Sequence, residues 1–132
     1  MSAALVLYVH GARDPRWAEP FERLRDMIAA REPGTPVAIA YLEHARPDLL
    51  QLATELAATG VRRIKVVPLF FGRGGHLRDD FPRQLAEAGR QLPGVRFDVT
   101  MAAGEDTRVL EALATFAIEA SPTPSVNSST TS

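Results

Sequence analysis

Two histidines and a glutamate are the side chains of this sequence best suited to chemistry, and each follows an apolar run. His10 follows Ala3–Val9 and precedes Gly11. Glu43 follows Val37–Leu42. His76 follows the run Arg62–Phe71 and the turn Gly72-Arg73-Gly74-Gly75, within the stretch VPLFFGRGGHLRDDFP. Imidazole suits Co, Ni, Fe and Zn, and a carboxylate adds a hard oxygen ligand. A neutral imidazole also accepts a proton near pH 7. Two His ligands without a full cage leave coordination positions open, which suits a metal in transit better than a structural metal. Four arginines lie nearby in sequence: Arg13, Arg46, Arg73 and Arg78. Their guanidinium forks match carboxylates. Gly74 and Gly75 let the backbone approach a flat or anionic ligand closely.

Each feature has an ordinary alternative. A strand-end His is often only a loop residue, and Glu43 can cap the following helix. The arginines can be solvated charges, and Asp79 and Asp80 suit the start of their helix without further role. His44 reads as an exposed loop residue and is left out of the site. The Gly-rich turn lacks the GKS or GKT ending of a phosphate loop, and it fails the GxGxxG dinucleotide pattern because it ends in Leu77. The case rests on convergence, which depends on the fold.

The elements that must position these residues alternate along the chain. The first run reads as a strand buried on both faces. Asp14 caps the next helix with Pro15 at its first position, and that helix runs to about Arg31. Its stripe is Trp17, Phe21, Leu24, Met27 and Ile28, with Pro20 tolerable only in the first turns. The second strand, Val37–Leu42, is followed by a helix opened by Pro47 and Asp48 and stopped by Gly60. Pro68 within the third strand deletes a ladder donor, which implies a bulge or an unpaired position near the strand end. A helix then runs from about Leu77 to Gln91, a half-exposed fourth strand over Val95–Met101, and a last helix with the stripe Val109, Leu110, Leu113, Phe116 and Ala117.

The pattern is βαβαβαβα in units of about 30 residues, the size of a strand–helix step. It predicts a single-domain three-layer α/β sandwich: a four-stranded parallel sheet with helices on both faces, joined by right-handed crossovers. The exit loops carrying His10, Glu43 and His76 then share one sheet edge, where open α/β sheets bind ligands.

Composition bounds the rest. With 132 residues the chain makes one domain, read as residues 1–119, followed by a disordered Ser/Thr/Pro-rich tail over 120–132. The 15 basic and 16 acidic residues nearly cancel, so the chain lacks the basic excess of a nucleic-acid binder. It has no cysteine, hence no disulfide or thiolate metal site. It shows no signal-peptide pattern and no apolar run near the roughly 20 residues of a membrane span. A cytoplasmic location is expected.

HGARDP at positions 10–15, YLEHARPDL at 41–49 and VPLFFGRGGHLRDDFP at 67–82 together resemble the small CbiX-type sirohydrochlorin chelatases of the class II tetrapyrrole chelatase superfamily. The resemblance covers about residues 4–118. It implies the chelatase-like fold and insertion of Co²⁺, or else Fe²⁺ or Ni²⁺, into sirohydrochlorin on the way to cobalamin or sirohaem. His10 and His76 match the family's metal-handling and catalytic histidines, and Glu43 matches an acidic group of the same site. No organic cofactor is implied; the divalent metal is a substrate. Small members are homodimers, and a homodimer is expected here, since one small sheet edge would leave a macrocycle largely in water. The binding of substrate carboxylates by Arg13, Arg46, Arg73 and Arg78 is inferred from charge. The family usually reads GHGS where this chain has Val9-His10-Gly11-Ala12, which narrows the approach to the ring and removes one hydroxyl. A protein that keeps the fold and ligands but binds metal or tetrapyrrole without turnover is the alternative. A histidine phosphatase ranks lower, because Val9 stands where that class needs an Arg before its His.

Overall fold

Ala3–Val9 (β1) forms the sheet's interior because every second residue on both faces is apolar, and Val6, Leu7, Tyr8 and Val9 are fully buried. The computed structural model describes residues 3–72 and 79–123 in full and residues 76–78 as backbone. The strands Val37–Tyr41 (β2), Arg63–Pro68 (β3) and Arg96–Val99 (β4) join β1 in one parallel sheet of order β2-β1-β3-β4. Leu7 stands opposite Ile39 on one side and Val67 on the other. The predicted α/β class and parallel sheet are therefore present.

Leu49–Ala58 (α2) and His76–Gln91 (α3) cover one face, packing Leu49, Leu52, Ala53 and Ala88 on Val6, Tyr8, Ile64 and Val66. Glu19–Arg31 (α1) covers part of the other face, with Phe21, Leu24 and Ile28 packed on Leu7, Val9, Ile39 and Tyr41. Met27, assigned to that stripe from the sequence, is instead 54% exposed.

Several boundaries differ from expectation for physical reasons. The first helix divides into a 3-10 turn, Pro15–Ala18, and α1. Pro20 has no N–H, and its ring would meet the carbonyl of Arg16 in a continuous α-helix, so the helix restarts with Pro20 in its first turn. β3 stops at Pro68 rather than Phe71. The Leu69 N–H donates to Tyr8 O at 2.9 Å and the Thr100 N–H to Val66 O at 3.0 Å, so even-numbered residues of β3 face β4. β4 ends at Val99, so the missing N–H of Pro68 falls where the partner strand has finished. β4 itself is shorter than Val95–Met101.

Thr107–Glu119 (α4) forms where a helix is expected, capped by Asp106. Its stripe does not pack. Val109, Leu110, Leu113 and Phe116 are 36%, 45%, 41% and 66% exposed, and the helix touches its own chain chiefly through the 3-10 turn Ala103–Glu105. Of the tail, residues 121–123 are exposed and irregular. Residues 124–132 lie outside the described residues.

Candidate active site

The site is built on the C-terminal edge of the sheet. The Leu42 N–H donates to Val9 O at 2.8 Å and the Glu43 N–H to His10 O at 3.0 Å, so the ladder between β1 and β2 continues into both exit loops. This carries Glu43 beside His10. The His10 Nε2 lies 3.1 Å from Glu43 Oε2, with the imidazole 46% and the carboxylate 36% exposed. An ionised carboxylate can only accept, so Nε2 carries the proton. In the neutral ring Nδ1 then holds the lone pair, free to bind a metal or take a proton.

Gly11 makes this closeness possible. It has φ +102°, a region that side chains rarely adopt, and a Cβ there would sit 1.8 Å from Glu43 O. The His-Gly pair seen in the sequence is thus a steric requirement of the His10–Glu43 contact.

His44, set aside in the sequence reading, belongs to the same cluster. Its φ of +68° places it in the left-handed region, and its Nε2 lies 3.7 Å from the Glu43 oxygen that faces His10. Nothing in the order of residue types signals that turn; only its adjacency to Glu43 pointed to it. The recess there, about 360 Å³, is lined by Leu42, Glu43, His44, Ala45, Arg46, Asp48 and Gln51. Its far wall is fixed by a capping box: Gln51 N–H donates to Asp48 Oδ1 at 2.8 Å, and Asp48 N–H to Gln51 Oε1 at 2.9 Å.

The third residue expected at the site, His76, opens α3. It lies one position earlier in the helix than the sequence implied, so it stands at the helix N-terminus beyond β3. The side chains of His76 and Arg78, and residues Arg73, Gly74 and Gly75 entirely, lie outside the described residues. Behind them α3 is tied to the strand ends. The Tyr8 hydroxyl donates to Gln84 Oε1 at 2.7 Å, and Gln84 Nε2 donates to Leu42 O at 3.1 Å. Burial, reinforced by the charges of Asp80, Asp48 and Glu43, pushes the Tyr8 phenol far above its ordinary value, so it remains a donor. Phe70 packs edge-on to both Tyr8 and His10, with ring centroids 5.9 and 6.1 Å away. Phe70 and Gln84 support the site, yet in sequence they are indistinguishable from ordinary core and helix residues.

Arg13 and Arg46 are exposed and unpaired among the described residues, so both remain available to an anionic ligand. Arg46 lines the recess. Among the described residues no group of three His, Cys, Asp or Glu is close enough to hold an ion.

A family model described as CbiX matches residues 4–120. A sirohydrochlorin cobaltochelatase of Sulfurisphaera tokodaii is 30% identical over 109 residues, covering 83% of this chain and 86% of the relative. A crystal structure of a cobalamin biosynthesis CbiX protein from Marinobacter aquaeolei superposes with a TM-score of 0.78 at 32% identity, over 89% of this chain and 95% of that one. The sirohydrochlorin chelatase SirB from Bacillus subtilis, solved in complex with cobalt, shares the fold with a TM-score of 0.72 at 24% identity. That match covers 91% of this chain and 51% of SirB, so the chain spans about half of the larger protein. Because the family match runs from β1 through α4 and takes in His10, Glu43 and His76, the chain belongs to the CbiX family.

Proposed function

We propose that this protein is a sirohydrochlorin chelatase that inserts a divalent metal, Co²⁺ in the first place and Fe²⁺ or Ni²⁺ as alternatives, in cobalamin or sirohaem-type synthesis. The observation that carries the reading is the His10–Glu43 pair, held at the ligand-binding edge of a CbiX-family sheet with one ring nitrogen left open. A relative over most of both chains bears the name sirohydrochlorin cobaltochelatase.

The reaction exchanges one M²⁺ for two pyrrole N–H protons, so charge balances without electrons or an organic cofactor. Its demands are a site that holds the metal loosely and a base that takes the protons. The Nδ1 of His10 has one lone pair and serves one demand at a time. It is a metal ligand before transfer, or the acceptor of one proton once the metal has left it for the ring, the other proton going to a second base or to water. Glu43 fixes the tautomer from the other side of the ring. His76, at the start of α3, supplies the second imidazole. Arg13, Arg46, Arg73 and Arg78, with the backbone at Gly74 and Gly75, hold the peripheral carboxylates of the ring. The working unit is a homodimer in the cytoplasm, with the macrocycle enclosed between two copies.

The test is anaerobic metal insertion into sirohydrochlorin, followed by absorbance, with Co²⁺, Ni²⁺ and Fe²⁺ in parallel. Many turnovers per protein, lost in His10→Ala and in His76→Ala, are expected. Stoichiometric binding without acceleration over the uncatalysed reaction would replace the enzyme with a binding protein.

A further inference from the structure

The ladder between β3 and β4 lapses at the site end of the sheet, because β4 stops at Val99 and Pro68 has no N–H with which to continue it. Beyond the bond from the Thr100 N–H to Val66 O at 3.0 Å, the chain comes back to β3's extension at another point: the Gly104 N–H donates to Phe70 O at 2.8 Å. Gly104 lies in the 3-10 turn Ala103–Glu105. That turn is closed by the Glu105 N–H on Ala102 O at 2.9 Å and the Asp106 N–H on Ala103 O at 3.2 Å. A Cβ on Gly104 would stand 2.2 Å from the Cα of Phe71, 2.4 Å from its carbonyl oxygen and 2.6 Å from its Cδ1. Two of those atoms are backbone and cannot swing aside. The φ of Gly104 is not in the left-handed region, so its own backbone would accept an alanine. Only the closeness of Phe71 requires glycine here.

The two residues this turn grips lead to both histidines of the site. Phe70, whose carbonyl Gly104 holds, places its ring edge-on to the His10 imidazole at a centroid distance of 6.1 Å and to Tyr8 at 5.9 Å. The imidazole is thus held by the Glu43 carboxylate through Nε2 and by the edge of Phe70. Phe71 is the residue from which the chain leaves for Gly72 and the turn to His76. Its side chain is 69% exposed, so burial does not fix it; the contact with Gly104 does.

We propose that Gly104 is a positioning residue for metal insertion: the close contact of its turn with Phe70 and Phe71 sets where the His10 imidazole stands and where the turn to His76 begins. The kinetic consequence rests on the chelatase reading, whereas the geometric one does not. An alanine at 104 needs about 3.5 Å to Phe71 where 2.2 Å exists, so Phe71 or the turn shifts by more than about 1 Å. A displacement of that size at reacting groups lowers a rate about 100-fold. None of Ala103, Gly104 and Glu105 belongs to either core cluster, so the sheet and the helices packed on it survive the change.

The chain has three histidines, so the imidazole protons of His10 are assigned by their absence from the spectrum of His10→Ala. The unmodified protein, Gly104→Ala and two companions are compared by proton NMR without metal, by urea unfolding and by Co²⁺ insertion into sirohydrochlorin. Ala103→Gly loosens the same turn but adds no atom near Phe71. Phe71→Ala removes the ring that packs on Gly104 and leaves the core intact. Gly104→Ala should move the His10 signals toward their positions in Phe70→Leu, where the ring current is gone, and lower kcat about 100-fold with KM little changed. Ala103→Gly should lower the urea midpoint and leave both the His10 signals and kcat near those of the unmodified protein. Phe71→Ala should move the same signals by less, and it alone decides if Gly104→Ala does not fold. His10 signals that stay in place in both variants overturn the proposal, as does a fall in kcat that Ala103→Gly reproduces at equal loss of stability. Moved His10 signals in a protein that inserts no metal even unmodified keep the positioning role of Gly104 and overturn the chelatase reading.

Discussion

Gly11 and Glu43 touch through their backbones: a methyl group on Gly11 would stand 1.8 Å from the Glu43 carbonyl oxygen. The contact holds two exit loops together and sets the spacing of the His10 and Glu43 side chains. Gly11→Ala must therefore leave its φ of +102° and push residue 43 away. The left-handed conformation alone costs an Ala about 1 kcal/mol, and the steric clash adds to it. We expect a loss of at least about 2 kcal/mol in urea unfolding, together with a metal-insertion rate cut as deeply as in His10→Ala. Retention of full activity would mean that the His10–Glu43 distance is unimportant.

Glu43→Gln keeps the shape of the side chain and removes its charge. An amide can donate as well as accept, so the His10 tautomer is no longer dictated. Turnover is expected to fall roughly 10- to 100-fold, the range for a group that orients a metal-binding His. Parallel steady-state kinetics with Co²⁺ will check it; since Asp48 and not Glu43 caps α2, an unchanged rate would leave Glu43 without a role in the reaction.

Gln84→Ala severs both links of the Tyr8–Gln84–Leu42 bridge. The Tyr8 hydroxyl is then buried without its acceptor, which costs about 1–3 kcal/mol. Since the same bridge ties α3 to the strand ends, the helix bearing His76 loosens as well. Denaturant midpoints should drop, and Tyr8→Phe in the Gln84→Ala background should recover part of the loss.

Acid should loosen the N-terminal end of α4. The Arg108 side chain and N–H bind the Asp106 carboxylate and lower its pKa to about 2. A carboxylate depressed in the folded state stabilises above its unfolded value, 3.8, and that stability is lost as pH falls through the folded one. Between about pH 4 and 2 the helix should fray from its N-terminus. Asp106→Asn still caps but does not titrate, so its circular dichroism should change less over this window than wild type. Identical curves would show that the cap does not hold the helix.

The sheet was legible because its strands are buried on both faces and so appear as continuous apolar runs. The meeting of His10 and Glu43 was legible too, since the βαβ repeat alone places both exit loops on one edge. What escaped depends on information not local to the sequence. The left-handed turn at His44 follows from how its loop closes, so a residue read as idle lies beside Glu43. The stripe on α4 was visible, but periodicity says which face is apolar and not what will cover it. Pro20 was recognised as a flaw, yet only packing decides whether a helix bends around such a residue or restarts at it.

The strand order carries a last consequence, for opening rather than for geometry. β1 and β3 are the two interior strands, each paired on both sides, and they lead to His10 and His76. Glu43 hangs from β2, an edge strand with a single neighbour. Local unfolding begins where the fewest bonds must break. Backbone amides of β1 and β3 should accordingly exchange with deuterium most slowly, and those of β2 and β4 sooner. His10 is thus anchored at the end of a slowly opening interior strand, while the acid that orients it rides on a margin that opens sooner.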